Sequence, residues 1–367
     1  MSLDEVFGCI LFANANSGDY SPENLEGVER TLGLGQGKLE CHSVVTKDPR
    51  DLKSEVQKVQ EQGNFPDLVG IIGGDGSVME VITAIENTWS RQPAYYLVFP
   101  DSGGTMKTAH NYLSAGKSSQ EIAKYVAKAV SLNEPLRYKT MPVIDVTVDG
   151  IQNKRCQTVG FGIVPNLLLL YEGMTVERCL DLERELQQGK PGEYHEIAKK
   201  FTKDLRKPNR LSALKIGAST FRNIFHGHNS WEQYFFSRGL DVEIVIDDEE
   251  VETFLPERYQ QKLPTGIYAA SFGQVNIGLP KKLTLLPQAD QDPEKIPAVF
   301  TYGSARQTAL QVLKTVVGWN MDHASYLRFT KMTLHSDKAI ACNVNGDAVY
   351  GKYFAIRSAG ERKFIVG

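Results

Sequence analysis

The sequence lacks any apolar run of the ~18 residues or more that a membrane-spanning helix needs; the longest leucine run covers only residues 167–170. Cysteine is scarce: Cys9, Cys41, Cys156, Cys179 and Cys342 are odd in number and form no CxxC. That excludes a disulfide framework or a cysteine zinc site and leads us to expect reduced thiols in a cytoplasmic setting. An excess of positive charge is also missing, with 41 Lys and Arg against 44 Asp and Glu, a net charge of −3 and no long basic run. A general nucleic-acid binder is usually more basic, so no nucleic-acid partner is expected. The opening stretch MSLDEVFGCILFANANSG sets an acidic pair before a short apolar run and lacks the pattern of a signal peptide. No internal repeat or low-complexity segment stands out.

Strands and helices alternate over the first 135 residues. Buried strands are expected at 6–13, 39–46, 67–72 and 94–100, with helices at 21–33, 49–62, 78–88 and 118–131. Such alternation implies a parallel sheet covered on both faces. Near Pro135 the texture changes to a succession of strand-like runs interrupted by helical stretches at about 175–205 and 305–317. The expected fold class is α/β plus β. A Rossmann-like parallel-sheet domain over 1–138 is followed by a mostly antiparallel, β-sandwich-like domain with helical insertions over 139–344.

The chemistry is concentrated in DLVGIIGGDGSVMEVITAI, residues 67–85. A strand ending in Gly73-Gly74-Asp75-Gly76-Ser77 and running into a helix suits an anion. Glycine permits tight folding and close backbone approach, and a helix N-terminus offers unpaired N–H groups and a positive dipole end. Asp75 beside a phosphate needs a further task, either holding Mg²⁺ or taking a proton from an attacking hydroxyl. Ser77 either caps the helix or binds phosphate. The stretch matches neither the G-x-G-x-x-G nor the G-x-x-x-x-G-K-[ST] motif.

These residues resemble the G-G-D-G-T-x-x-E-V signature of the diacylglycerol kinase catalytic domain, shared by diacylglycerol, sphingosine and ceramide kinases and by bacterial lipid kinases. Gly73, Gly74, Asp75, Gly76, Glu80 and Val81 match, and Ser77 stands for threonine. Asn14-Ala15-Asn16-Ser17-Gly18 resembles the family's N-P-x-S-G turn. Pro100-Asp101-Ser102-Gly103-Gly104-Thr105 resembles its P-x-G-T loop, and Asn343-Val344-Asn345-Gly346-Asp347 its V-D-G-E. The resemblance implies a two-domain kinase using ATP and Mg²⁺. Asn14, Ser17, Gly18, Gly73, Gly74, Gly76, Ser77, Gly104 and Thr105 would bind the nucleotide. Asp75 would be the metal ligand or base, with Asp347 its catalytic partner. The last residues, about 345–367, would return to the first domain. The implied acceptor is a hydroxyl of a lipid or long-chain base, met by peripheral contact with a membrane. Two alternatives stay open: a small-molecule kinase acting on NAD or a sugar, and a catalytically silent nucleotide- or lipid-binding module.

The sequence departs from the pattern in places. Met106, Lys107, Thr108, Ala109 and His110 replace the family's Asn-Asp pair, Val164 and Pro165 fall where a mid-chain aspartate is expected, and Asn345 replaces an aspartate. Elsewhere, the leucines at 167–170 read as core, the basic stretch 187–210 as a solvated helical face, and His226 and His228 as loop residues. Asp247, Asp248, Glu249 and Glu250 read as a solvated hairpin turn. The sequence leaves the oligomeric state open.

Overall fold

Short, largely apolar runs alternating with capped helices order the first part of the chain. In the computed structural model, which describes residues 7–16, 20–34, 39–99, 113, 117–171, 173–203, 205, 238–260, 262–271, 274–275, 283–284, 286, 294–304, 306–307, 314 and 321–366, four strands alternate with helices. They are β1 (Phe7–Asn14), β2 (Leu39–Thr46), β3 (Leu68–Ile72) and β4 (Tyr95–Phe99). The helices are α1 (Pro22–Gly33), α2 (Pro49–Gln62), α3 (Asp75–Thr88) and α4 (Ser119–Ser131). Each cap has a local cause. Ser21 and Asp48 accept backbone N–H groups ahead of prolines at the helix start, and Gly63 closes α2 in the left-handed conformation at φ 71°. Ser118 and Glu121 form a reciprocal capping box on α4.

The chain divides into two compact units. The first comprises residues 1–141, 276–278 and 361–367; the second comprises 142–275 and 279–360. In the first unit the strands run parallel in the order β2-β1-β3-β4. Cys9, Leu11, Ala13, Leu97 and Phe99 bury one face against Leu25, Val28 and Leu32 of α1 and Ile122 and Val126 of α4. Ile10, Phe12, Val69, Ile71 and Val98, of the opposite parity, are buried as well, as two-sided cover of a parallel sheet requires. The Trp89 indole N–H at the end of α3 donates to the Val56 carbonyl of α2 at 2.8 Å, tying the two helices together.

The second unit is largely antiparallel. Its strands are β5 (Tyr138–Val148), β6 (Gln152–Cys156), β7 (Thr158–Gly162), β8 (Glu243–Ile246), β9 (Glu249–Glu250), β10 (Gly266–Ala270), β11 (Gln274–Val275), β12 (Leu283–Thr284), β13 (Ile296–Thr301), β14 (Ala324–Phe329), β15 (Lys331–Val344) and β16 (Asp347–Ile365). β5 and β16 each run on into the first unit. The main ladder is β14-β13-β10-β7-β15-β16. Its core joins Phe161, Phe300, Phe329, Phe354, Ile267 and Met332. Three helices, α5 (Ile163–Tyr171), α6 (Val176–Gln188) and α7 (Tyr194–Thr202), pack a second cluster with Ala339 and Tyr350. The fold class expected from the sequence therefore holds.

Two local expectations change and a third is refined. Helix α3 starts at Asp75 rather than 78, because Gly74 takes the extended cap conformation at φ −70° and ψ 177°. Residues 163–171 are a helix that the apolar run did not announce; Leu169 and Leu170 are buried and Leu167 is exposed. The turn of the acidic run at 247–250 is Asp247-Asp248, both at positive φ, and the Asp247 carboxylate accepts from the N–H groups of Thr330 and Lys331 at 2.9 and 2.8 Å. Asp248, Glu249 and Glu250 are exposed, as expected of a solvated hairpin turn, and Asp247 alone is held by these bonds. Most of the helix expected at 305–317, and part of 187–210, lies outside the described residues.

Residues 361–366 complete the first sheet. Phe364 pairs in parallel with Tyr96 of β4, and the Val366 N–H donates to the Arg137 carbonyl at 3.0 Å. Arg362 Nε donates to Glu86 of α3, and the Glu86 side chain is only 4% exposed. Burial pulls the Arg362 guanidinium down in pKa, but the Glu86 hydrogen bond and charge more than offset this and hold it above its ordinary value. Removing Arg362 takes the counter-charge from a carboxylate that is only 4% exposed. Arg362→Ala is expected to lower the unfolding free energy by about 3–5 kcal/mol, whereas replacing both Glu86 and Arg362 with apolar residues should cost much less. Urea unfolding of the three variants checks this.

Candidate active site

The strand order puts the ends of β1 and β3 side by side, and the chain leaves them toward opposite faces of the sheet: α1 packs with α4, and α3 with α2. Ligands of open α/β sheets bind at such a switch point, outside the carboxyl ends of the strands. Here β3 passes into α3 through only Gly73 and Gly74. That abrupt handover presses the first turn of α3 onto β1. A Cβ on Gly73 would sit 2.5 Å from Ser77 Cβ and 3.5 Å from Asn14 Cβ, so glycine is obligatory there. Gly76 is different, since a Cβ on it would meet nothing within 4 Å.

Among the described residues no side chain caps α3. Ser77 is the third residue of the helix, not its cap, and its Oγ accepts from Asn14 Nδ2 at 2.9 Å. Asn14 Oδ1 in turn accepts the Asn16 N–H at 2.9 Å, so one amide fixes the turn after β1 and ties it to α3. The Asn16 side-chain amide donates to the Lys47 carbonyl, and the Ala15 N–H to the Thr46 carbonyl at 2.8 Å. The turns after β1 and β2 thereby form one framework.

Beside it lies a cleft of about 200 Å³. Phe12, Leu52, Ile71, Ile72 and Val81 form its apolar walls. Asn14, Asn16, Thr46, Lys47, Asp48, Ser77 and Glu80 supply its polar lining. It is smaller than the ~300–1,000 Å³ of a typical small-molecule pocket. Sequence reasoning missed Asn16, Thr46, Lys47 and Asp48 as cleft residues. The signal available was the T-K-D-P step from β2 into α2, in which Asp48 caps the helix through the Arg50 and Asp51 N–H groups at 2.7 and 3.1 Å.

The expected site residues divide as follows. Asn14, Gly73, Gly74, Gly76 and Ser77 come together around the first turn of α3. Asp75 takes the first helical position, where a negative charge suits the helix dipole; its side chain lies outside the described residues. Ser17, Gly18, Gly104 and Thr105 lie outside them too, as do Met106, Lys107, Thr108, Ala109, His110, His226 and His228. Among the described residues no group of three or more His, Cys, Asp or Glu is placed to hold a metal ion.

Asp347 is exposed, in the second unit, at the start of β16. It pairs with Val344 across the two-residue turn Asn345-Gly346, both at positive φ, 54° and 94°. Asn-Gly is the preferred pair for a hairpin turn of this kind. The Asn345 side chain does more than tolerate the turn. Its Oδ1 accepts the Gln157 and Thr158 N–H groups at 2.8 and 3.2 Å, and its Nδ2 donates to the Arg155 carbonyl at 3.4 Å. The substitution that the sequence marked as a chemical departure is thus the clasp between this hairpin and the β6–β7 connection.

Comparison with known proteins agrees with the parallel half. Residues 8–132 match the family model described as the diacylglycerol kinase catalytic domain. No curated protein matches the chain in sequence. Three solved structures assigned to the diacylglycerol kinases of Bacillus anthracis str. Sterne resemble it throughout. Each aligns over 98% of this chain and 97% of its own, with TM-scores of 0.60, 0.56 and 0.58 and identities of 15%, 13% and 14%. At such identities the likeness bears on the fold. The sequence resemblance to the diacylglycerol kinase catalytic domain holds over the matched residues.

Two sets of variants test the geometry. Gly73→Ala should lose about 1–3 kcal/mol through overpacking against Ser77 and Asn14. Gly76→Ala should be neutral or gain up to about 1 kcal/mol, since it enters open space on a helix. In the second unit, Asn345→Ala orphans two backbone N–H groups and should cost about 2–4 kcal/mol, while Asn345→Asp keeps both acceptor bonds and should cost less than half of that. Denaturant midpoints measured together rank all four.

Proposed function

From the diacylglycerol kinase catalytic domain carried by residues 8–132, we propose that the chain is an ATP-dependent kinase that phosphorylates an alcohol group of a lipid or long-chain base. The observation that carries this reading is the uncapped first turn of α3, pressed against Asn14 at the switch point with open space above Gly76. A phosphate chain suits such a turn: the dipole end is positive, and among the described residues no side chain caps the helix start. Support for a lipid acceptor over NAD or a sugar comes from the family whose model matches.

In this reading Gly73 lets the turn close, and Gly74, Gly76 and Ser77 present the phosphate-binding backbone. Asn14 holds the framework, and Ser17, Gly18, Gly104 and Thr105 complete the nucleotide side. Asp75 either holds the Mg²⁺ that neutralises the phosphates or takes the proton from the acceptor hydroxyl, and Asp347 acts as the second carboxylate. Phosphoryl transfer asks little covalent chemistry of the protein, so positioning and charge neutralisation carry the rate. The acceptor would be met at a membrane surface; among the described residues no helix is long and apolar enough to cross one.

Incubation with labelled ATP and a lipid extract, followed by separation of the products, identifies the acceptor class. Asp75→Asn should lower lipid phosphorylation at least 100-fold with the unfolding midpoint unchanged. Full turnover by Asp75→Asn removes Asp75 from the chemistry. Binding of Mg-ATP by the unaltered protein without transfer to any alcohol would make it a binding module.

A further inference from the structure

Away from the cleft, the first unit brings two nucleophilic side chains into contact. Cys9 and Cys41 are direct register partners on the parallel strands β1 and β2. Their sulfurs are 3.4 Å apart, with the Cys41 thiol donating to Cys9 Sγ. Neighbouring strands lie about 4.8 Å apart, which falls within the Cα separation of ~4.4–6.8 Å seen for disulfides. Bond formation needs an S–S distance of about 2.05 Å, so the two sulfurs have to close by little more than 1 Å from their 3.4 Å separation. Cys9 is 4% exposed and Cys41 is half-buried, so one sulfur of the pair is open to a small reagent.

We propose that Cys9 and Cys41 form a reversible dithiol–disulfide site, oxidised by a hydroperoxide, that staples β1 to β2 on the face of the sheet covered by α1 and α4. The more accessible Cys41 sulfur attacks the terminal peroxide oxygen. The O–O bond breaks, the alcohol (water, for hydrogen peroxide) leaves, and Cys41 becomes a sulfenic acid. Cys9 sulfur then attacks Cys41 sulfur, the S–O bond breaks, and the oxygen departs as water with the Cys9 proton. Two thiols thus give up two electrons to one peroxide. The hydrogen bond from Cys41, followed by burial, holds the Cys9 thiol well above its usual range, which suits a resolving role rather than first attack. The staple bears on the candidate site because β1 and β2 end at Asn14 and Thr46, themselves register partners and both lining the cleft. It would also close a long loop in the unfolded chain, which stabilises the native state.

The native full-length chain, treated with a small excess of hydrogen peroxide, alkylated and digested with trypsin, decides the matter. The titre of free thiols should fall from five to three, a linked peptide should join residues 1–30 to 39–47, and the thermal midpoint should rise and return on adding dithiothreitol. Cys41→Ser should keep its four thiols under the same treatment, and the peptide map of the unaltered protein decides by itself if that variant does not fold. Persistence of all five thiols overturns the proposal, as does a disulfide that joins two chains or involves Cys156, Cys179 or Cys342.

Discussion

The contact between the first turn of α3 and the end of β1 is the constraint on which the candidate site depends. A strand that becomes a helix within two residues must fold its second side of the turn back over its own end. The space for that exists only because Gly73 has no side chain. Once the turn is closed, Ser77 falls within reach of Asn14, and the Asn14 amide can bond forward to α3 and back to Asn16 at once. The same closure leaves the helix start without a side-chain cap. In the proposed reading, an anion site and a tight handover are two results of one backbone path, and neither requires a separate device.

The parallel half was legible in the sequence because each of its elements carries its own punctuation. Ser21-Pro22, Asp48-Pro49 and Ser118 with Glu121 mark helix starts at single-residue precision, and short buried strands fill the gaps between them. Helix α3 was misjudged at its start for a physical reason: Asp75, Gly76 and Ser77 favour turns, and only the extended Gly74 ahead of them makes them a first helical turn. Residues 163–171 were opaque for another reason. An apolar run has no periodicity to distinguish a helix from a strand, and here packing against the sheet decided the matter: Val164 lies over Gly160, where a Cβ would come within 2.5 Å of it.

The antiparallel half shows how a residue can look chemical in a sequence and be conformational in a fold. Asn345 stands where the related pattern has an aspartate, and it invites an argument about lost basicity. Its positive φ and three side-chain hydrogen bonds place it in a hairpin turn instead, where an amide both accepts and donates. A carboxylate in the same place would accept the two N–H groups but would face the Arg155 carbonyl without a proton to offer. The positive φ, the two accepted N–H groups and the donated bond to Arg155 give the asparagine a structural part in the clasp.

The limits of the matched family segment also differ from the limits of what must fold together. The match ends at residue 132, yet the first sheet acquires its last strand from residues 361–365, and the helix that carries the candidate site is held from behind by Arg362. Glu86 and Asp75 belong to one rigid rod, so a charge pair at the far end of α3 constrains how its first turn sits on Asn14. A chain stopping near residue 132 would keep every glycine of the motif but would expose the flank of β4 and leave Glu86 without its counter-ion. The unit that carries the candidate site is therefore discontinuous in sequence, since residues 361–367 complete what 1–141 begin.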